Sequence, residues 1–368
     1  MNTSCARAFL AGLVVVAACG DGAGDRAKGE KGLVPPRVTR LARVPLAETE
    51  ATYLARPTGM AIDPDDGSIY VADGFWGRVL RFDSAGALLR TYGSRGEGPG
   101  ELKATGPVEV AGNTLLVADV GKNELSRFDR ATGAYLGSSR YQGALTSIIP
   151  REDGGLWLGL MNRTRHTALA SLGADGRQSY MGSLPREFVA SQMLAGIYTG
   201  VEVAAWGDTV LAGFTGLNRL VLFRRDGITL RSLAVPVRAR KGEMPDIARS
   251  LEKLDFPEAF AANSALFRVR RLASGNFALI HYDQTIDDNL IRATVYLTLL
   301  SRDFSRACPD LEIRVSGDGQ PYTAFRGDEL FVVQQQVNGE RASAFVDRYR
   351  LDEASCFGAP ERVASAAR

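Results

Sequence analysis

Short apolar or alternating runs, set apart by turn residues, recur along the chain at near-constant spacing. Ser68 to Asp83 reads SIYVADGFWGRVLRFD, and Thr114 to Asp129, 46 residues on, reads TLLVADVGKNELSRFD. Val71, Ala72 and Asp73 fall on Val117, Ala118 and Asp119, while Arg81, Phe82 and Asp83 fall on Arg127, Phe128 and Asp129. A shift of 141 residues carries the first unit onto Thr209 to Gly227, with Arg78 on Arg219, Phe82 on Phe223 and Gly86 on Gly227. Three units in 141 residues give a mean period of 47. The first unit holds four such runs, Thr58 to Asp63, Ile69 to Asp73, Arg78 to Asp83 and Ala87 to Tyr92. Runs of this length and alternation are strands rather than helices. Pro64 to Gly67, Gly74 to Gly77 and Ser84 to Gly86 supply the turn chemistry of hairpins between them. Four antiparallel strands repeated at this period make a propeller blade.

The pattern predicts an all-β fold, a six-bladed β-propeller of four-stranded antiparallel blades. The blades are expected at Arg56 to Leu102, Lys103 to Ala144, Leu145 to Phe188, Thr199 to Gly242, Leu266 to Gly317 and Gln320 to Asp352. The last holds only three recognisable strands, Pro321 to Arg326, Glu329 to Gln335 and Ser343 to Leu351. Arg37 to Leu46 precedes the first blade without a partner and is expected to close the ring as the missing outer strand, which removes exposed sheet edges. Pro245 to Ala262 breaks the repeat, with Ile247, Leu251 and Leu254 at a spacing that predicts a short helical insertion, either a lid or a packing element.

The N-terminal 18 residues read as a signal peptide: Arg7, then the apolar run Ala8 to Ala18, too short for a membrane span of about 20 residues. Val16-Ala17-Ala18-Cys19 resembles the lipobox of bacterial lipoproteins, which implies lipidation of Cys19 and export to the cell envelope; ordinary signal cleavage at the same bond is the alternative. Residues 19–36 read as a flexible tether rich in glycine and charge, residues 37–358 as the propeller and 359–368 as a disordered tail. For a lipoprotein of a Gram-negative cell, the lipobox resemblance with Gly20, in place of an aspartate, after the cysteine implies sorting to the outer membrane, on its periplasmic side. Cys308 and Cys356 remain as one pair in an oxidising compartment, expected as a disulfide unless they are two separate buried thiols.

Over Arg56 to Leu102 the sequence resembles an NHL repeat, through Gly59-Met60-Ala61-Ile62-Asp63, Ile69-Tyr70-Val71-Ala72-Asp73, Arg81-Phe82-Asp83 and Gly93 to Gly100. The whole chain is similar to bacterial six-bladed propeller lipoproteins of that kind. The match weakens after the second unit; Phe214 stands where Asp73 and Asp119 stand earlier. The resemblance implies a scaffold that binds proteins or other ligands, with a minority of enzymes on related propellers, so fold alone does not assign function.

Lys and Arg number 44 against 42 Asp and Glu, and no basic stripe interleaves with aromatics, which argues against a nucleic-acid partner. Two histidines, His166 and His281, are too few for a propeller lyase that uses several histidines on zinc. A gluconolactonase-like hydrolase could instead hold a divalent ion such as calcium on oxygen ligands in the central channel, with Asp73, Asp119, Glu109, Glu202 and Asp283 as candidates. For Asp73 and Asp119 the structural reading is a strand-end carboxylate bonded to backbone amides. No phosphate loop, nucleophile elbow or dinucleotide fingerprint is present, so no catalytic or metal residue and no cofactor is assigned outside that alternative.

The leading expectation is a monomeric binding scaffold for a protein, peptide or glycan partner, held to the membrane by a lipid anchor. Loops joining second to third strands share one face of a propeller with the connections between blades. That face collects Gly74 to Gly77, Gly121 to Asn123, Asn162 to His166, Gly216 to Asn218 and Asp283 to Asn289. Phe75, Trp76, Lys122, Asn123, His166, Asn218, His281 and Asp283 are the ligand-binding candidates, aromatic anchors being what interfaces favour. Trp76 packed between blades, and His281 as a satisfied structural residue, are the alternatives.

Overall fold

The structure is a computed structural model and describes residues 38–190, 200–235, 241, 264–287, 290–338 and 341–357. The signal segment, Cys19, the tether, the 245–262 insertion and the C-terminal tail lie outside the described residues. Six sheets of four antiparallel strands form the propeller. Blade one runs from the inner strand Pro57–Ile62 to the outer strand Leu88–Tyr92, blade two from Thr105–Ala111 to Tyr135–Arg140, and blade three from Ala144–Pro150 to Gln178–Ser183. Blade four runs from Val201–Trp206 to Thr229–Ala234 and blade five from Ser264–Arg271 to Ala307–Ile313.

Blade six closes the ring as the unpaired N-terminal run predicts. Its order is Val38–Pro45, Arg341–Leu351, Glu329–Asn338 and Asp318–Arg326, so the first strand of the chain is the outermost strand of the last blade. Val38 pairs with Leu351 and Pro45 with Phe345. The seam is pinned by Asp347, fully buried, which accepts hydrogen bonds from Arg43 Nε and Nη2 at 2.8 Å and from Gln334 Nε2 at 2.9 Å. The Arg43 guanidinium also lies 3.9 Å from the centroid of the Phe345 ring.

The core sits between blades. Tyr70, Ala72, Val79 and Tyr92 of blade one pack with Val108, Val117 and Phe128 of blade two, and Leu211 and Leu220 of blade four with Val269 and Phe277 of blade five. The middle strands are thus apolar on both sides; all five residues of Ile69–Asp73 are buried. Inner strands crowd toward the axis, which explains Gly59: a β-carbon there would meet Gly106 O at 2.6 Å, so a side chain would force adjoining blades apart.

Second-to-third turns and blade-to-blade connections form one face, the loop face; first-to-second and third-to-fourth turns form the other, the hairpin face. The predicted loop from Asp283 to Asn289 is mostly strand instead. Phe277–Asp287 and Leu290–Leu300 continue their ladder to an Asp287–Leu290 pair. β-branched Thr285 and Ile286 suit that extension. Blade six extends likewise, with an Asn338–Arg341 pair at the tip of its hairpin. Cys308, at the start of the outer strand of blade five, is disulfide-bonded to Cys356 in the helical turn Ala354–Phe357 that follows the closing blade.

Candidate functional site

Asp73 and Asp119, fully buried, are committed to the backbone. Asp73 accepts amide hydrogen bonds from Ala55, Arg56, Phe75 and Trp76. Asp119 accepts the same set one blade on, from Lys103, Ala104, Gly121 and Lys122. Each carboxylate ties the connection that enters its blade to the turn that leaves the second strand, so neither is a channel ligand. Asp283 pairs across from Ser264, the first residue of its inner strand, as Asp73 does with Pro57. It is buried, accepts a hydrogen bond from the Ser264 hydroxyl, and belongs with the strand-end aspartates rather than with the surface.

His281 also leaves the binding set. It is 1% exposed in the middle of its strand, stacked on Tyr296 with ring centroids 5.2 Å apart and with Nε2 3.6 Å from Asp310. A histidine so enclosed cannot meet a partner arriving at the loop face.

Phe75 and Trp76 are exposed on the loop face. Phe75 is 46% and Trp76 36% exposed, and Tyr53, from the segment linking the closing strand to blade one, is 37% exposed beside them. Trp76 makes edge-to-face contacts with Tyr53 at 5.8 Å and Phe75 at 5.0 Å, so it does not pack between blades. Two arginines brace the patch. Arg78 donates to the carbonyls of Ala51 and Tyr53 and lies 5.7 Å from the Trp76 ring; Arg95 donates to the Phe75 carbonyl and lies 5.9 Å from its ring.

On the same face a cleft of about 1060 Å³ runs between blades two and three. Pro107 and Thr146 of the inner strands line it toward the axis, and Val120, Asn123, Tyr141 and Arg165 toward the rim. Its lining includes Arg163 and Arg165 and no carboxylate. Asn123 and His166 adopt φ of 54° and 53°, as Gly77 adopts 59°, each directly before the third strand of its blade. The turn demands a left-handed residue there, so part of the reason for these residue types is conformational. His166 is exposed beside the cleft. Lys122 is used internally: its Nζ donates to Glu101 O at 2.8 Å and lies 3.5 Å from Asp119. Asn218 is half-buried, its backbone carbonyl accepting from Val235 N.

Glu109 and Glu202 do lie on inner strands, but each faces an arginine. Glu202 is 3.5 Å from Arg268 and Glu109 4.0 Å from Arg270, both arginines on the inner strand of blade five. Burial pushes the Glu202 carboxyl up to about 7 against the pull of Arg268, and burial likewise raises Glu109. Blades two and five stand opposite in a six-membered ring, so the Glu109–Arg270 pair crosses the axis. Among the described residues no group of three or more His, Cys, Asp or Glu side chains is placed to hold a metal ion. A reading of channel chemistry from carboxylates and histidines alone does not reach these arginines. The alternation of Arg268 and Arg270 in the inner strand FRVRR was the available signal.

No protein-family model matches the sequence, and no curated protein matches it. Solved structures do match in fold. A member of the DUF4221 family from Bacteroides vulgatus aligns at TM-score 0.62 and 12% identity, covering 86% of this chain and 99% of that one. A predicted exported protein from Bacteroides fragilis aligns at 0.57 and 10% identity, covering 87% and 96%. A catalytically inactive virginiamycin B lyase from Staphylococcus aureus, with quinupristin, aligns at 0.50 and 11% identity, covering 84% and 99%. At such identities the likeness shows the propeller fold and nothing finer.

Proposed function

We propose that the chain is a lipid-anchored, envelope-tethered binding scaffold of NHL-like type that presents its loop face to a protein, peptide or glycan partner. One observation carries this reading: three exposed aromatics, with Trp76 in edge-to-face contact with both Tyr53 and Phe75, braced by Arg78 and Arg95. Rigid aromatic side chains offer large contact area at small entropic cost, and such residues dominate interface energetics. The cleft between blades two and three lies on the same face.

The channel supports a metal-dependent hydrolase less well. A divalent ion there would have to draw Glu109 and Glu202 away from Arg270 and Arg268, and Asp73, Asp119 and Asp283 are bonded elsewhere. The residues present do not fit such an ion.

A photo-crosslinking side chain placed at Phe75 in living cells should capture one partner, while the same group at Leu136, exposed on the outer strand of blade two, should not. With the partner in hand, Phe75→Ala combined with Trp76→Ala should weaken binding by about 2 kcal/mol or more, with an almost unchanged melting temperature. Equal capture at both positions, or normal binding by the double variant, ends this assignment of the face.

A further inference from the structure

On the hairpin face the axial channel opens as a pocket of about 470 Å³, within the range of small-molecule sites. All six blades contribute to its lining. The Glu109–Arg270 pair that crosses the axis stands within it, with ions 4.0 Å apart. Ile62, Ile149, Pro150 and Phe325 give it apolar walls, and its lining also includes Arg270, Arg271 and Arg326 and the single carboxylate of Glu109.

These arginines differ in how far the protein already uses them. Arg326 donates to the carbonyls of Pro64 and Asp65. The Arg270 side chain makes no hydrogen bond among the described residues, and its ion pair is longer than hydrogen-bond distance. That of Arg271 makes none either, and lies 5.8 Å from the Trp206 ring. The Arg270 guanidinium, on the side of Glu109, therefore keeps forked donors available in this pocket, whereas Arg271, the next residue on the strand, goes to the other side, toward Trp206. A carboxylate is the group that this fork matches in two-point geometry.

We infer that this pocket is a binding site for a small molecule carrying one carboxylate on an apolar body. The acid group would meet Arg270, and the hydrocarbon part would lie against Ile62, Ile149 and Phe325. Glu109 disfavours a doubly charged phosphate, because its own carboxylate would stand close to the bound anion. The site is on the face opposite the aromatic patch and does not depend on the proposed partner.

Calorimetric titration of the full chain tests the inference, with sodium octanoate and sodium benzoate as probes and octanol and inorganic phosphate as controls. At least one acid should bind saturably, and octanol at least about tenfold more weakly. Arg270→Met should lower acid affinity by at least about tenfold. Glu109→Gln should raise it, because a competing carboxylate is gone, an effect that loss of a merely structural ion pair would not produce. The Glu109→Gln titration still decides the matter if Arg270→Met fails to fold. The inference is overturned if neither acid saturates below about 10 mM, if octanol binds as well as octanoate, if phosphate binds more tightly than either acid, or if Glu109→Gln weakens acid binding.

Discussion

Asp73 and Asp119 show how one residue type serves each blade: four backbone amides converge on each fully buried carboxylate. Removing the acceptor leaves those donors short of a partner inside the fold. Asp73→Ala or Asp119→Ala should therefore cost roughly 2–4 kcal/mol in urea unfolding, a large effect for one residue. Glu202 acts in the opposite sense. Its carboxyl is raised from the ordinary 4.5 to about 7, mainly by burial. The folded state thus holds a proton that the unfolded state releases between those values. The stability this lends is present below about 4.5 and is lost as pH rises through about 7. Glu202→Gln should flatten that decline, so melting curves of the two proteins, matched near pH 5, should separate by a few degrees near pH 8 with the variant the more stable.

Among elements, the strands and the closing run were legible because a two-sided blade imposes a strict local pattern. Val71-Ala72-Asp73 and Val117-Ala118-Asp119 are each an apolar stretch ended by an amide acceptor, and the unpartnered Val38–Pro45 could pair only with a blade short of a strand. The site was less legible. Tyr53 lies in a connection outside the repeat, and Glu109 meets Arg270 only because ring closure sets blade two opposite blade five. No local pattern encodes a diameter. Cys308 and Cys356 stood between these cases: composition suggested the pair, and the structure shows it clamping the segment after the last strand to the neighbouring blade, 48 residues apart in sequence. Opening it by Cys356→Ser should destabilise the propeller by up to about 4 kcal/mol. Titration of the unfolded, unreduced protein should find neither Cys308 nor Cys356 reactive.

Across the whole molecule, the direction of the first strand fixes the face at which the chain enters the ring. Val38 pairs with Leu351, at the end of the third strand of blade six, so the chain enters at the hairpin face and runs toward the loop face. With Cys19 lipidated as proposed, the 18 residues 20–37, if they are the tether their glycine-rich composition implies, would hold the propeller some 20–25 Å from the bilayer. Cys19→Ala should release the protein from the detergent phase or block its processing. In reconstituted vesicles, a fluorophore at Asp175 on the hairpin face should be quenched by headgroup quenchers more strongly than one at Phe75. The same strand direction decides how the ring meets force. Tension drawn through the N-terminal segment runs along Val38–Pro45, so every rung from Leu351 to Phe345 is loaded together in shear instead of parting one after another. A propeller held by its closing strand would come apart easily if that strand peeled; loaded along its axis from this end, the strand can leave only by breaking its pairs together.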